Sequence, residues 1–165
     1  MIIVVMGVTG SGKTTVGQRL AKRLAWTFAD ADDFHSAANK EKMHEGIPLT
    51  DADRLPWLAA MHEQIANWVA SKENAVLACS ALKRSYRQQL WNGPEARFVY
   101  LKGGYGLIAK RLEGRKGHFA DEQILAGQFA DLEEPTDAAV VEISKPPEEI
   151  AEEICRQFGL RCDAG

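Results

Sequence analysis

The chain has 165 residues, 45% hydrophobic and 26% charged, with a formal net charge of −3. That length suits one domain with its own core. The mild acidity, without a dominant lysine and arginine stripe, argues against nucleic acid or an anionic membrane as the main partner. No apolar run approaches the roughly 18–20 residues that span a bilayer. Cys79, Cys155 and Cys162 contain no C-x-x-C pair and leave one cysteine over under any pairing, a pattern that suits a reducing compartment. The N-terminus enters a strand without a basic n-region or cleavage site, so no secretory signal is read and a cytoplasmic protein is expected.

In chain order, Ile2 to Met6 is a short β-branched run that reads as a buried strand, and Thr15 to Ala25 follows with Val16, Leu20, Ala21 and Leu24 at helical spacing. Between them stand Gly7, Val8, Thr9, Gly10, Ser11, Gly12, Lys13 and Thr14, a complete G-x-x-x-x-G-K-T phosphate loop at a strand-to-helix turn. Glycines let successive N–H groups converge on phosphate oxygens, and the helix N-terminus adds partial positive charge. Lys13 is expected to reach the β/γ-phosphates of ATP and the Thr14 hydroxyl to ligate Mg²⁺, with Thr15 continuing the nucleotide site.

Trp26 to Ala29 reads as a second strand ending at Asp30, and Ser36 to Glu45 as a short helix closed by Gly46 and Pro48. Leu55 to Ala70 is an amphipathic helix with Pro56 in its first turn and Asp53 as cap. Ala75 to Cys79 is a third strand, Lys83 to Trp91 a basic helix, and Arg97 to Leu101 a fourth strand. A helix begins over Leu107 to Leu112, Ala139 to Ile143 is a fifth strand, and Pro147 to Phe158 a last helix ended by Gly159. Short strands alternating with helices predict an α/β fold, a parallel sheet covered on both faces, with ligands beyond the carboxyl ends of its strands.

The phosphate loop alone leaves several enzyme classes open. A switch GTPase needs D-x-x-G, and no aspartate here has glycine three residues later; Asn39-Lys40-Glu41-Lys42 lacks the aspartate of N-K-x-D. A motor ATPase ends a strand in an apolar run and aspartate, whereas Leu77-Ala78-Cys79 runs into Ser80. The carboxylates sit instead after strand two, in Asp30-Ala31-Asp32-Asp33. A small-molecule kinase uses acids there to share Mg²⁺ and to hold, or deprotonate, an acceptor hydroxyl. Asp30 and Asp32 at i and i+2 project to one side of an extended segment. Arg54, Lys83, Arg84, Arg87, Arg111, Arg115, Lys116 and His118 gather in loop-helix segments near strand ends and suit anionic ligands, with Arg84 read as a solvated surface residue. Gly114 and Gly117 flank a tip suited to a closing lid. His44-Glu45 and His62-Glu63 lack the second histidine of H-E-x-x-H, and Trp57 and Trp68 read as core packing.

Asp30 to His35, Lys42-Met43, the stretch Gly46 to Leu58, Cys79 to Lys83, Tyr86-Arg87, Val99 to Gly103, Arg115 to Phe119 and Gln128-Phe129 together resemble the gluconokinase family. The resemblance covers nearly the whole chain, and its most specific parts are Gly46 to Leu58 and the R-K-G-H-F run. It implies ATP-dependent phosphorylation of the 6-hydroxyl of D-gluconate, feeding carbohydrate catabolism. It implies a nucleoside-monophosphate-kinase-like P-loop fold with strand order 2-3-1-4-5, one domain over residues 1–165, and a lid at about 113–122. On that model Lys13, Asp32 and Arg115 are catalytic, Asp30 joins Thr14 at the metal, and His35, Arg54, Lys83, Arg87 and His118 join Asp32 around gluconate. Arg111, Arg115 and the loop at Pro146 would serve the nucleotide, and a homodimer is expected. A shikimate kinase would share the phosphate loop and the D-x-D segment but not the G-x-P-L-x-D-x-D-R-x-P-W-L stretch. A non-catalytic nucleotide-binding regulator would tend to lose Lys13, Thr14, Asp32 and Arg115.

Overall fold

In a computed structural model, which describes residues 1–113 and 118–163, five parallel strands form one sheet. They are β1 (Ile2–Met6), β2 (Thr27–Asp30), β3 (Ala75–Ala78), β4 (Ala96–Lys102) and β5 (Ala139–Glu142), in the order β2-β3-β1-β4-β5 expected from the resemblance. Register is fixed from the centre outward, with Ile2 beside both Ala75 and Ala96, Thr27 beside Ala75, and Val99 beside Ala139.

Period-two alternation of side chains divides the interior into two cores. Ile3 and Val5 of β1 pack with α1 (Lys13–Leu24), α5 (Tyr105–Glu113) and α7 (Pro147–Phe158), through residues such as Val16, Leu20, Ile108, Leu112, Ile150 and Ile154. Ile2, Val4 and Met6 face the other way, toward Leu58, Met61 and Ile65 of α3 (Asp51–Ala70) and Tyr86 and Leu90 of α4 (Arg84–Leu90). A central strand buried on both faces needs apolar residues throughout, which is why β1 reads as a continuous hydrophobic run.

Helix boundaries moved where capping chemistry outweighed hydrophobic spacing. The expected start of α3 at Leu55 is corrected to Asp51, because Thr50 is the cap. Its side chain accepts from Asp53 N–H at 3.1 Å while the Asp53 carboxylate accepts from Thr50 N–H at 3.0 Å. Asp53 is thus the reciprocal partner of the cap, and Pro56 lies in the second turn. The short α2 (Ala37–His44) begins after Ser36, whose hydroxyl accepts from Asn39 N–H. A further helix, α6 (His118–Asp131), occupies a segment expected only as a lid and its continuation.

The cysteine expectation is also corrected. Cys155 of α7 and Cys162 form a disulfide, while Cys79 is free and buried. Gly159 adopts a left-handed C-cap at φ 65°, which turns the chain back so that Leu160 N–H bonds Cys155 O and Cys162 reaches the helix. The cysteine pattern therefore no longer argues for a reducing compartment. No helix among the described residues is long and apolar enough to cross a membrane.

Candidate active site

The carboxyl ends of β1, β2 and β3 meet at a cavity of about 400 Å³. Its floor is the loop after β1. Gly7 must be glycine there, since a Cβ would lie 2.7 Å from Ser11 Oγ and 3.1 Å from Leu101 O. Gly10, at φ 76°, sits against Ile108 and Leu112 of α5. These two positions bend the loop so that α1 starts at Lys13 with its N-terminus toward the cavity. Lys13 Nζ donates to Val8 O at 3.0 Å, folding its charge over the loop.

The expected metal pair is adjacent. Thr14 Oγ1 donates to Asp30 Oδ2 at 2.6 Å, and the other Asp30 oxygen accepts from Asp32 N–H at 2.9 Å. A single turn of 3-10 helix, Ala31–Phe34, follows β2, and Asp30 caps it through that second bond. This hydroxyl and carboxylate fit Mg²⁺, a hard cation that keeps most of its water and takes only one or two protein oxygens beside phosphates. No group of three or more His, Cys, Asp or Glu able to hold a metal occurs among the described residues.

Asp32 opens onto the same cavity. Loss of surrounding water, and then the neighbouring Asp30 charge, push its carboxyl above the usual aspartate value, against the opposing pull of Lys13. Cys79, also on the cavity wall, is pushed up to about 12 by burial and is inert at neutral pH.

The other end of the cavity is built from distant segments. His35 is buried, stacked on Trp57 at 4.3 Å between ring centroids and 8° between planes. Desolvation, followed by the charges of Arg54 and Lys40, lowers its pKa to about 4, so the ring is neutral at physiological pH. Asn39 Nδ2 lies 3.5 Å from Nδ1, an arrangement that leaves the proton on Nε2. Trp57 is held by its Nε1–H to Ala31 O at 2.7 Å and lines the cavity, so it serves the site as well as the core. Arg54 lines the cavity too, donating to Tyr86 OH at 3.0 Å and lying 3.8 Å from Asp51 and 4.0 Å from Asp131. Tyr86 OH in turn donates to Asp51 Oδ1.

Not every expected residue converges. Arg87, expected around the substrate, stands apart from the cavity lining. Its guanidinium is buried and donates to Ala81 O, Leu82 O and Glu133 O at 2.8, 3.1 and 2.9 Å. Lys83 stands at the N-cap position of α4 without a side-chain capping bond and donates instead to Asp51 Oδ1 at 3.2 Å, outside the cavity lining and beside Tyr86. Arg111 Nη2 donates to Ile143 O at 2.6 Å, which fixes the end of β5 just before the loop of Pro146; Pro146 is the exposed N-cap of α7. Arg115 lies outside the described residues, and His118 marks only the start of α6.

A family model for shikimate kinase matches residues 9–158. Gluconokinase from Gluconobacter oxydans is 48% identical over 94% of this chain and 90% of its own. The chain belongs to the gluconokinase family. Probable gluconokinase from Xenopus tropicalis is likewise 48% identical, over 82% of this chain and 80% of its own. The crystal structure of a gluconokinase from Sinorhizobium meliloti superposes with a TM-score of 0.85 at 42% identity, covering 95% of this chain and 90% of that one.

Within this family member the wall missed by reading cations alone comes from α6. Gln123, Ile124, Gly127, Gln128 and Asp131 all line the cavity, together with Met43 of α2 and Ile47 to Leu49 of the segment after it. Gln128 and Tyr86 stood in the stretches that carried the resemblance, but neither residue type announces its role by charge.

Proposed function

We infer that the protein transfers the terminal phosphoryl group of ATP to the 6-hydroxyl of D-gluconate, giving 6-phospho-D-gluconate and ADP. The observation that carries this reading is one cavity that joins a phosphate loop to a carboxylate, Asp32, and a cation, Arg54, in a chain 48% identical to a gluconokinase. The loop from Gly7 to Thr15 cradles the phosphates, and Lys13 neutralises charge on the group in transfer. Thr14 and Asp30 would hold Mg²⁺, which would supply Lewis-acid stabilisation of the phosphate oxygens. Asp32 orients the acceptor hydroxyl; as the new O–P bond forms and the bond to ADP breaks, the hydroxyl proton passes to Asp32 or to water. Arg54 meets the carboxylate of gluconate, while neutral His35 on its Trp57 shelf offers Nε2–H to the polyol.

The finer assignments are proposals of the same kind. Arg115 and His118 act from a lid over 113–122, Arg111 and Pro146 serve the nucleotide, and Lys83 steadies the acceptor rim through Asp51. The chain works as one kinase domain over 1–165, as a homodimer in the cytoplasm, where ATP and sugar acids meet. Light scattering at working concentration tests the dimer.

The decisive experiment is a coupled ADP-release assay with ATP, Mg²⁺ and a panel of gluconate, shikimate and nucleoside monophosphates. Turnover of gluconate is expected. Turnover of shikimate instead, the alternative raised by the shikimate kinase family model, would overturn the acceptor assignment.

A further inference from the structure

The wall of the cavity contributed by α6 carries a side chain to which the reaction as described gives no task. Gln128 lies 119 residues from Thr9 in sequence, yet its Oε1 accepts from Thr9 N–H at 2.6 Å. A carboxamide has an acceptor end and an end with two donors. Because Thr9 N–H is a donor, Oε1 must face it, and Nε2 is turned away from the loop backbone. Among the described residues no hydrogen bond ties Nε2 down, and Gln128 lines the same cavity as Lys13 and Asp32.

The position is chemically pointed. A phosphate loop spends its N–H groups on phosphate oxygens. Here the Thr9 N–H is committed to a side chain, so Gln128 stands at the mouth of the loop and closes over its edge. One turn further along α6, Asp131 lies 4.0 Å from Arg54 on the acceptor side. The face of α6 that carries both residues therefore spans the path from donor to acceptor, with Gln128 at the donor end.

We propose that Gln128 is a catalytic residue of the transfer: Oε1 fixes the loop through Thr9, and Nε2–H donates to an oxygen of the phosphoryl group in flight. The proposal rests on the kinase reading above. A fixed amide donor aimed at developing charge stabilises the transition state without moving, as other neutral donors do in acyl transfer.

Glutamate at this position separates the two ends of the side chain. Gln128→Glu keeps an oxygen for Thr9 N–H but replaces the donor with a negative oxygen. Steady-state kinetics with ATP and gluconate should give a kcat lowered by about 10²-fold or more, with the KM for ATP within about threefold and the melting temperature unchanged. A kcat within about threefold of the parent protein would reduce Gln128 to a clamp and overturn the proposal. So would a loss confined to the KM for gluconate. Gln128→Met, uncharged and of similar length, is read by the same criteria should the glutamate variant fail to fold. If the parent protein leaves gluconate untouched, the acceptor assignment fails by itself. The slow hydrolysis of ATP by water then still reads Gln128, and equal rates in parent and variant would sink the catalytic role.

Discussion

In the proposed reaction the phosphate loop and the acceptor wall solve the same problem, holding an anion, by opposite means. The loop does it with consecutive residues, in which backbone N–H groups, two constrained glycines and a helix N-terminus are all consequences of Gly7 to Thr14. The acceptor wall would do it with one cation, Arg54, set by Tyr86 and Asp131 and facing the same cavity as His35, each delivered by a different element. A site of the first kind is preorganised by local sequence. A site of the second kind exists only once the tertiary structure is complete, and is tuned one residue at a time.

That contrast sets the size of the effects expected on breaking either side. Lys13→Ala should be the most damaging, lowering kcat by about 10²–10³-fold or more, because nothing else named in the loop carries a full positive charge. Near-normal turnover would remove the donor site from this loop. Asp32→Asn should lower kcat by about 10²-fold or more with little change in the KM for ATP. Its raised carboxyl pKa places the acidic limb of the kcat profile above the 3.8 of an ordinary aspartate, and that limb should vanish in the variant. Arg54→Ala should raise the KM for gluconate by about tenfold or more and leave that for ATP alone. An ATP-selective defect would move Arg54 to the donor side.

Two smaller effects sharpen the boundary between building the site and being part of it. Arg87→Ala strands three backbone carbonyls and should lower unfolding stability in urea by about 1–3 kcal/mol, while both KM values stay as they were. A selective rise in the KM for gluconate would return Arg87 to the substrate. His35→Gln should blunt the acid sensitivity of folding. The unfolded chain protonates this ring near 6.5 and the folded protein only near 4, so the ring's contribution is complete above pH 6.5 and is lost as pH falls toward 4. Urea midpoints across that window should fall less steeply in the variant than in the parent. Parallel slopes would mean that the burial of His35 is not felt.

The sequence-to-site relation follows the same divide. The strands, the phosphate loop and the acids that follow β2 were readable because apolar runs and local spacing dictate them, whereas the strand order came only with the family resemblance. The start of α3 was misread since a reciprocal cap at Thr50 and Asp53 outweighs the apolar stripe that begins later. Arg87 looked like any other cation beside a strand end; only folding brings the carbonyls of Ala81, Leu82 and Glu133 around it. The catalytic face of α6 was hidden for a different reason. Glutamine and glycine at 127–128 carry neither charge nor hydrophobic period, so their importance is visible only against Thr9 and the cavity.

The two-core arrangement of the sheet has a consequence for how such enzymes diversify. The helix that begins at Lys13 rests on one core, whereas the helices bearing Arg54 and Tyr86 rest on the other, and the strands between them are the shared wall. Substitutions that remodel the second core can therefore reshape what is phosphorylated without loosening the grip on the nucleotide. A lineage can keep one half of its machinery as an heirloom while it experiments with the other.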